Sequence, residues 1–157
     1  MLEINTPKGR KAAQLQADAL NIVTRACGVR FITTSDVDSA FIDAMAINSE
    51  NEVQAVAEVK SRDMTEAQLK RFGNEWILTY EKILHGALIA KYLRVPFIGV
   101  LYLIPDAKVM TIVIADKDGE LIVPMRVDRT ETQKTINGGK IIRTNAYINM
   151  DSAKIYL

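Results

Sequence analysis

The sequence has little sulfur chemistry, no charge imbalance and no long apolar run, and each scarcity excludes a class of protein. Cys27 is the only cysteine, which rules out an internal disulfide and any cysteine-based zinc site and fits a reducing compartment. We read it as a small buried apolar residue, with a reactive thiol as the alternative. Lysine and arginine number 20 against 19 acidic residues, for a net charge of +1, so composition carries no global signature of nucleic-acid binding. Any such binding must come from a local patch. No stretch approaches the ~20 apolar residues of a membrane span, and "MLEINTPKGRKAAQ" lacks a signal-peptide core, so a cytoplasmic location is expected. Internal repeats and low-complexity tracts are also missing.

What is present is the composition of an ordinary globule, with 48% apolar and 25% charged residues in 157 positions. That length suits one domain with a substantial core. Thr6-Pro7 is a helix start, with a hydroxyl cap and proline at the first helical position. Ala12, Leu15, Ala19, Ile22, Val23 and Ala26 then recur at helical spacing until Gly28, which predicts a helix over 7–27. Three strand-like runs follow at 29–34, 40–48 and 52–60, the last two forming a hairpin about Ser49, Glu50 and Asn51.

Leu69, Phe72, Trp76, Tyr80, Ile83 and Ala87 at helical spacing predict a second helix over 65–94, with a break or kink at Gly73-Asn74. Thr65 and Gln68 are spaced as its capping box. "FIGVLYLI" (97–104) reads as a strand buried on both faces. A second hairpin is expected between "KVMTIVIA" and "ELIVPMRV", followed by an exposed polar loop over 128–140 and a last strand at 141–150. The sum is an α/β domain over 1–157, with a core at about 7–104 and a β-rich extension at about 105–157.

Chemistry concentrates in the first hairpin. If Asn48 faces Val53, the register sets Asp43 directly across from Glu58. Directly opposed residues in an antiparallel pair have Cβ atoms roughly 4.5–5.5 Å apart. Asp43, Met45, Ile47, Gln54, Val56, Glu58 and Lys60 then share one side, and the other side, Ile42, Ala44, Ala46, Val53, Ala55, Ala57 and Val59, is wholly apolar. A one-residue slip would bury both carboxylates among the alanines, so burial specifies the register. Two opposed carboxylates repel unless a cation or a shared proton lies between them. A hard divalent ion is the natural compensation, since magnesium takes one or two carboxylates and keeps its waters. Lys60 adds a cation that can orient or deprotonate a water, or stabilise charge on a phosphate. A surface strand with solvated charges is the competing reading, and Met45, Ile47 and Val56 on the same side argue against it.

"FIDAMAI" and "AVAEVKSRD", after one helix and before a second helix and an apolar strand, resemble the PD-(D/E)xK nuclease superfamily, over residues 7–104. The Glu-Val-Lys-Ser wording is particularly similar to Holliday-junction-resolvase-like and phage or repair nucleases. The resemblance implies a restriction-endonuclease-like αβββαβ core, with a mixed sheet between helices, and Mg²⁺- or Mn²⁺-dependent cleavage of nucleic acid, DNA above all, leaving a 5′-phosphate. It implies Asp43, Glu58 and the Val59 carbonyl as metal ligands and Lys60 as the catalytic lysine. Gln68 matches a glutamine that some branches carry near the site, its alternative role being the capping box. The family's proline before the aspartate is Ile42 here, and its first-helix glutamate has only Gln14 or Asp18 as candidates. Asp36 and Asp38 read as turn formers that could approach a metal, Trp76 and Tyr80 as core, and His85 as a helix residue.

Three cationic groups could contact phosphate: Lys8, Arg10 and Lys11; Arg62, Lys70 and Arg71; and Arg129, Lys134, Lys140 and Arg143. The second group follows Lys60 most closely along the chain and is the expected nucleic-acid contact. A chain this small would cut both strands of a duplex as a homodimer. The alternative function is a nuclease-like subunit that binds nucleic acid or protein without cutting.

Overall fold

A computed structural model describes residues 6–34, 40–134 and 140–157, with side chains except at 132–134, 140 and 141. The elements follow in the order α1 (Pro7–Cys27), β1 (Arg30–Thr33), β2 (Ala44–Ile47), β3 (Val53–Arg62), α2 (Glu66–Arg71), β4 (Glu75–Thr79) and α3 (Tyr80–Leu93). Five strands complete the chain: β5 (Phe97–Leu103), β6 (Lys108–Ala115), β7 (Met125–Lys134), β8 (Lys140–Asn149) and β9 (Lys154–Tyr156). Six strands form one sheet in the order β1-β2-β3-β5-β6-β9, in which only β3 and β5 run parallel, and three form a second sheet in the order β4-β8-β7. None of the described helices is long and apolar enough to cross a membrane.

Helix α1 begins and ends where its punctuation requires. The Thr6 hydroxyl accepts from the Gly9 N–H at 3.0 Å, and Gly28, at φ 75°, closes the last turn by donating to the Thr24 carbonyl. Ala19, Leu20, Ile22 and Val23 of α1 pack on Ala44, Ala57, Val59 and Val100 of the large sheet, where alanines permit close approach. The opposite sheet face, including Val56 and Leu101, packs against Ile83, Ala87 and Ala90 of α3 and against Trp76, Leu78, Ala146 and Ile148 of the small sheet. The large sheet is thus buried on both sides, between α1 and a layer made of α3 and the small sheet. Close contact is built in at Gly86, where a Cβ would collide with the Phe97 ring, and at Gly99, where one would collide with the Trp76 indole.

Four expectations are corrected. The single helix over 65–94 is two helices with β4 between them. Gly73 and Asn74 both adopt positive φ, at 93° and 56°, and turn the chain out of α2. Trp76 and Leu78 then alternate with the less buried Glu75 and Ile77, and β8 supplies the pairing partner. Trp76 satisfies the helical spacing by coincidence, and tertiary pairing overrides it. Second, "KVMTIVIA" pairs as a strand with β5 and β9, and the expected ladder with the following segment is reduced to an Ala115–Leu121 bridge beyond the Asp116–Gly119 turn. Third, much of the polar stretch expected as a loop is β7, paired with β8 through Thr130 and Arg143. Polar side chains are no obstacle to a ladder whose outer side faces water. Asp36, Asp38 and the Gly-Gly turn lie outside the described residues. Fourth, Cys27 is exposed, its Sγ 3.4 Å from the Tyr156 hydroxyl. Beyond residue 104, β8 pairs with β4 in the small sheet and β6 pairs with β5 in the large one.

Candidate active site

Strand β3 carries the site because its two faces differ. Ala57 and Val59 point to α1, whereas Val56 points to α3. Strict alternation puts Glu58, Lys60 and Arg62 on the α3 side with Val56. The β2–β3 ladder pairs Ala44 with Ala57, Met45 with Val56 and Ala46 with Ala55, as the expected register requires. The ladder ends there, and the Asp43 N–H donates to the Ala57 carbonyl, so Asp43 enters from the bend before β2, near enough for its charge to act on Glu58. Near the turn the register slips, with Ile47 paired to Val53 and Gln54 the extra residue of a bulge. That slip carries Val53 into the α3-side cluster, and Ile42, beyond the end of β2, packs there too rather than with the alanines.

Glu58 is fully buried, at 0% exposure, and neither carboxylate oxygen has a hydrogen-bond partner among the described residues. Burial is the main cause pushing its pKa above the ordinary glutamate value, and the Asp43 charge pushes the same way. Lys60 and Lys82 oppose that rise. The Lys60 ammonium stands 3.3 Å from Glu58 Oε1 in an ion pair, and Lys82 Nζ stands 3.9 Å from the same oxygen.

Asp43 is tied to the strand it faces. Its Oδ2 accepts from the Val59 N–H at 2.8 Å, and its own N–H donates to the Ala57 carbonyl at 2.9 Å. The Thr34 hydroxyl caps the same segment, donating to the Ile42 and Asp43 carbonyls at 2.6 and 3.0 Å. Because the N–H and C=O of one strand residue project to the same side, the Val59 carbonyl points the way its N–H does, toward Asp43. Asp43, Glu58, Val59 and Lys60 therefore lie close together, through the Asp43 bond to Val59 and the Glu58–Lys60 contact.

Lys82 is the residue sequence reasoning missed. It sits in the first turn of α3, where a cation opposes the helix dipole, and it compensates through Glu58 and a 3.4 Å hydrogen bond to the Ala40 carbonyl. A lysine in a first turn is a usable signal, but the start of α3 was hidden inside the expected 65–94 helix. Phe41 was missed as well. It is 59% exposed and packs on the ring of His85, with centroids 4.3 Å apart.

The remaining candidates divide. Gln68 completes the capping box of α2, its Oε1 accepting from the Thr65 N–H at 2.8 Å while the Thr65 hydroxyl accepts from the Gln68 N–H at 3.1 Å. Arg62 is half-buried on the Glu58 side of β3, donates to the Ser61 carbonyl, and has its pKa lowered by burial. Lys70 pairs with Glu66 at 3.7 Å, and Arg71 is exposed at the end of α2. Gln14 and Asp18 bond to each other at 2.8 Å on the exposed side of α1, a helix that covers the face of the sheet opposite Glu58. A cavity of about 460 Å³ lined by Ala46, Ala55, Ile98 and Tyr156 also lies away from Glu58, on the α1 side.

A divalent ion fits the residues present. No cluster of three or more histidine, cysteine, aspartate or glutamate side chains occurs among the described residues, so ligation by a larger acidic set is not offered. Two carboxylates and a carbonyl suit an ion that keeps several waters, and the unpartnered oxygens of Glu58 are the atoms such an ion would satisfy. Comparison of the chain with protein-family models, with curated proteins and with solved structures finds no match.

Proposed function

We propose that the protein is a metal-dependent nuclease that hydrolyses phosphodiester bonds, with DNA as its substrate and a restriction-endonuclease-like core made of α1, β1, β2, β3, α3 and β5. One observation carries the reading: a fully buried glutamate whose two oxygens lack hydrogen-bond partners lies beside an aspartate and two lysines. Burying a carboxylate is costly even beside two lysines, because the desolvation of the charges offsets much of their attraction. A strand that needed only stability would carry an apolar residue there.

Asp43, Glu58 and the Val59 carbonyl would hold Mg²⁺ or Mn²⁺. Such an ion supplies Lewis-acid activation of water and neutralises charge that develops on the phosphate. Burial favours this division of labour, since electrostatic interactions strengthen away from water. The Val59 N–H fixes the orientation of Asp43 by occupying Oδ2. Lys60, 36% exposed and at the mouth of the site, is placed to orient the attacking water or to meet the phosphate. Arg62 lines the same face and contributes positive charge for the backbone of the substrate. Lys70 and Arg71 extend it along α2, although Lys70 must leave Glu66 to do so. Action on both strands of a duplex would require a homodimer.

The test is cleavage of labelled linear, nicked, flapped and four-way-junction DNAs and of RNA with Mg²⁺ or Mn²⁺. Asp43→Ala and Lys60→Ala are expected to abolish cleavage, a fall of at least about a thousandfold, with the fold intact by circular dichroism. Equal cleavage by the wild type and both variants would overturn the proposal. A second reading, a non-cleaving nucleic-acid-binding subunit, draws support from the two lysines, which balance Glu58 without any metal. Calorimetric titration with Mn²⁺ separates the two, since only the nuclease requires binding that Asp43→Ala removes.

A further inference from the structure

The rim of the site carries an aromatic ring that the chemistry above does not use. Phe41 lies two residues before Asp43, and two residues span at most about 7 Å, the scale of a single nucleotide. Its ring is 59% exposed although a phenyl group gains from burial. It is also held in place. One side is backed by the His85 imidazole, with centroids 4.3 Å apart and planes at 46°. The backbone one residue earlier is pinned by Lys82, which donates to the Ala40 carbonyl at 3.4 Å. The same Lys82 reaches Glu58, so one helix turn of α3 positions both the ring and the candidate catalytic carboxylate.

A fixed, solvent-facing ring one nucleotide from a phosphate-handling centre is the arrangement that stacks a base. We propose that Phe41, buttressed by His85, is a base-stacking platform, and that the substrate is nucleic acid with unpaired bases at the site of cleavage. This rests on the nuclease reading of the same site and narrows its substrate class. Paired bases in a duplex are already stacked on their neighbours and offer no free face to a side chain at the backbone. A single strand, a flap or a junction offers one. Lys60 and Lys82, 36% and 37% exposed, supply the cations that the adjoining phosphates need. Stacking is tolerant of base identity, so little sequence preference is expected.

Binding is measured by fluorescence anisotropy in EDTA, where no metal-dependent cutting occurs, with a labelled single-stranded DNA, the same sequence as RNA, and a blunt duplex of equal length. The wild type should bind the single strands more tightly than the duplex. Phe41→Ala should weaken single-strand binding about tenfold or more, Phe41→Leu should weaken it nearly as much because it keeps bulk and loses the π-face, and Phe41→Trp should restore it. Duplex affinity and Mn²⁺ binding should stay unchanged in all three. Duplex preference in the wild type, or single-strand affinity that survives Phe41→Ala, overturns the inference even if the protein cleaves. Failure of the wild type to bind Mn²⁺ or to cleave any substrate overturns the nuclease reading instead, and the EDTA measurements still judge the stacking platform. The ratio of DNA to RNA affinity identifies which single strand is the ligand.

Discussion

The two faces of β3 are built from the same ten residues, Val53–Arg62, and each packs against a layer of its own, yet they obey different rules. The α1 side presents Ala57 and Val59 to apolar residues of α1, and among the described residues no buried charge lies there. The α3 side starts the same way with Val56 and then buries Glu58 beneath Lys60 and Lys82. Packing alone explains the first face. The second retains a buried carboxylate that burial pushes toward its neutral form, the feature on which the nuclease proposal rests.

Breaking the comparison gives the largest effect. Ala57→Glu would put a carboxylate on the α1 side with no cation to receive it, and a loss of about 3–5 kcal/mol is expected, read as a lower urea midpoint or as failure to fold. A loss below 1 kcal/mol would show that the α1 side tolerates charge as the α3 side does.

The reverse change sharpens the comparison. Glu58→Gln removes the buried charge, while Lys60 and Lys82 are exposed enough to be solvated when left alone. In EDTA at neutral pH it should stabilise the chain by on the order of 1–3 kcal/mol while abolishing Mn²⁺ binding. Titration carries the same information. Folding raises the Glu58 pKa, so between the ordinary carboxylate range and the raised value the folded chain holds a proton that the unfolded chain has lost. Wild-type stability without metal should therefore fall as pH rises through that window and level off above it. Denaturant unfolding across pH should show the fall in the wild type and its loss in Glu58→Gln. Identical profiles would place the titrating group elsewhere.

The smallest effect concerns Gln68. If its role ends with the capping box, Gln68→Ala costs about 0.5–1 kcal/mol and leaves cleavage per folded molecule unchanged. Loss of kcat beyond that would give Gln68 a part in the site as well. Gln68→Glu, which preserves the box, serves as the control.

Much of the site was legible because short-range rules govern it. Alternation along β3, the apolar run of alanines and the short turn together forced the register that pairs Ala44 with Ala57, Met45 with Val56 and Ala46 with Ala55, and the structure departs from it at the Gln54 bulge and beyond Ala44, where the Asp43 N–H bonds to the Ala57 carbonyl. The capping box at Thr65 was equally local. Less of the surroundings could be read. Lys82 meets Glu58 only because β4 interrupts the expected helix and resets where α3 begins. β4 in turn exists because β8, some seventy residues later, pairs with it. No window around Trp76 contains that information.

By itself, then, the sequence determined the elements whose causes lie within a turn or a hairpin: the caps of α1, the faces of β3 and the pairing of β2 with β3. Tertiary structure decided which strands neighbour one another, which lysines neutralise Glu58 and which aromatic ring stands at the rim. The division follows from the range of the forces. Capping bonds and side-chain alternation act over a few residues, whereas burial and strand pairing reward contacts between segments far apart in the chain, and only the folded molecule brings those together.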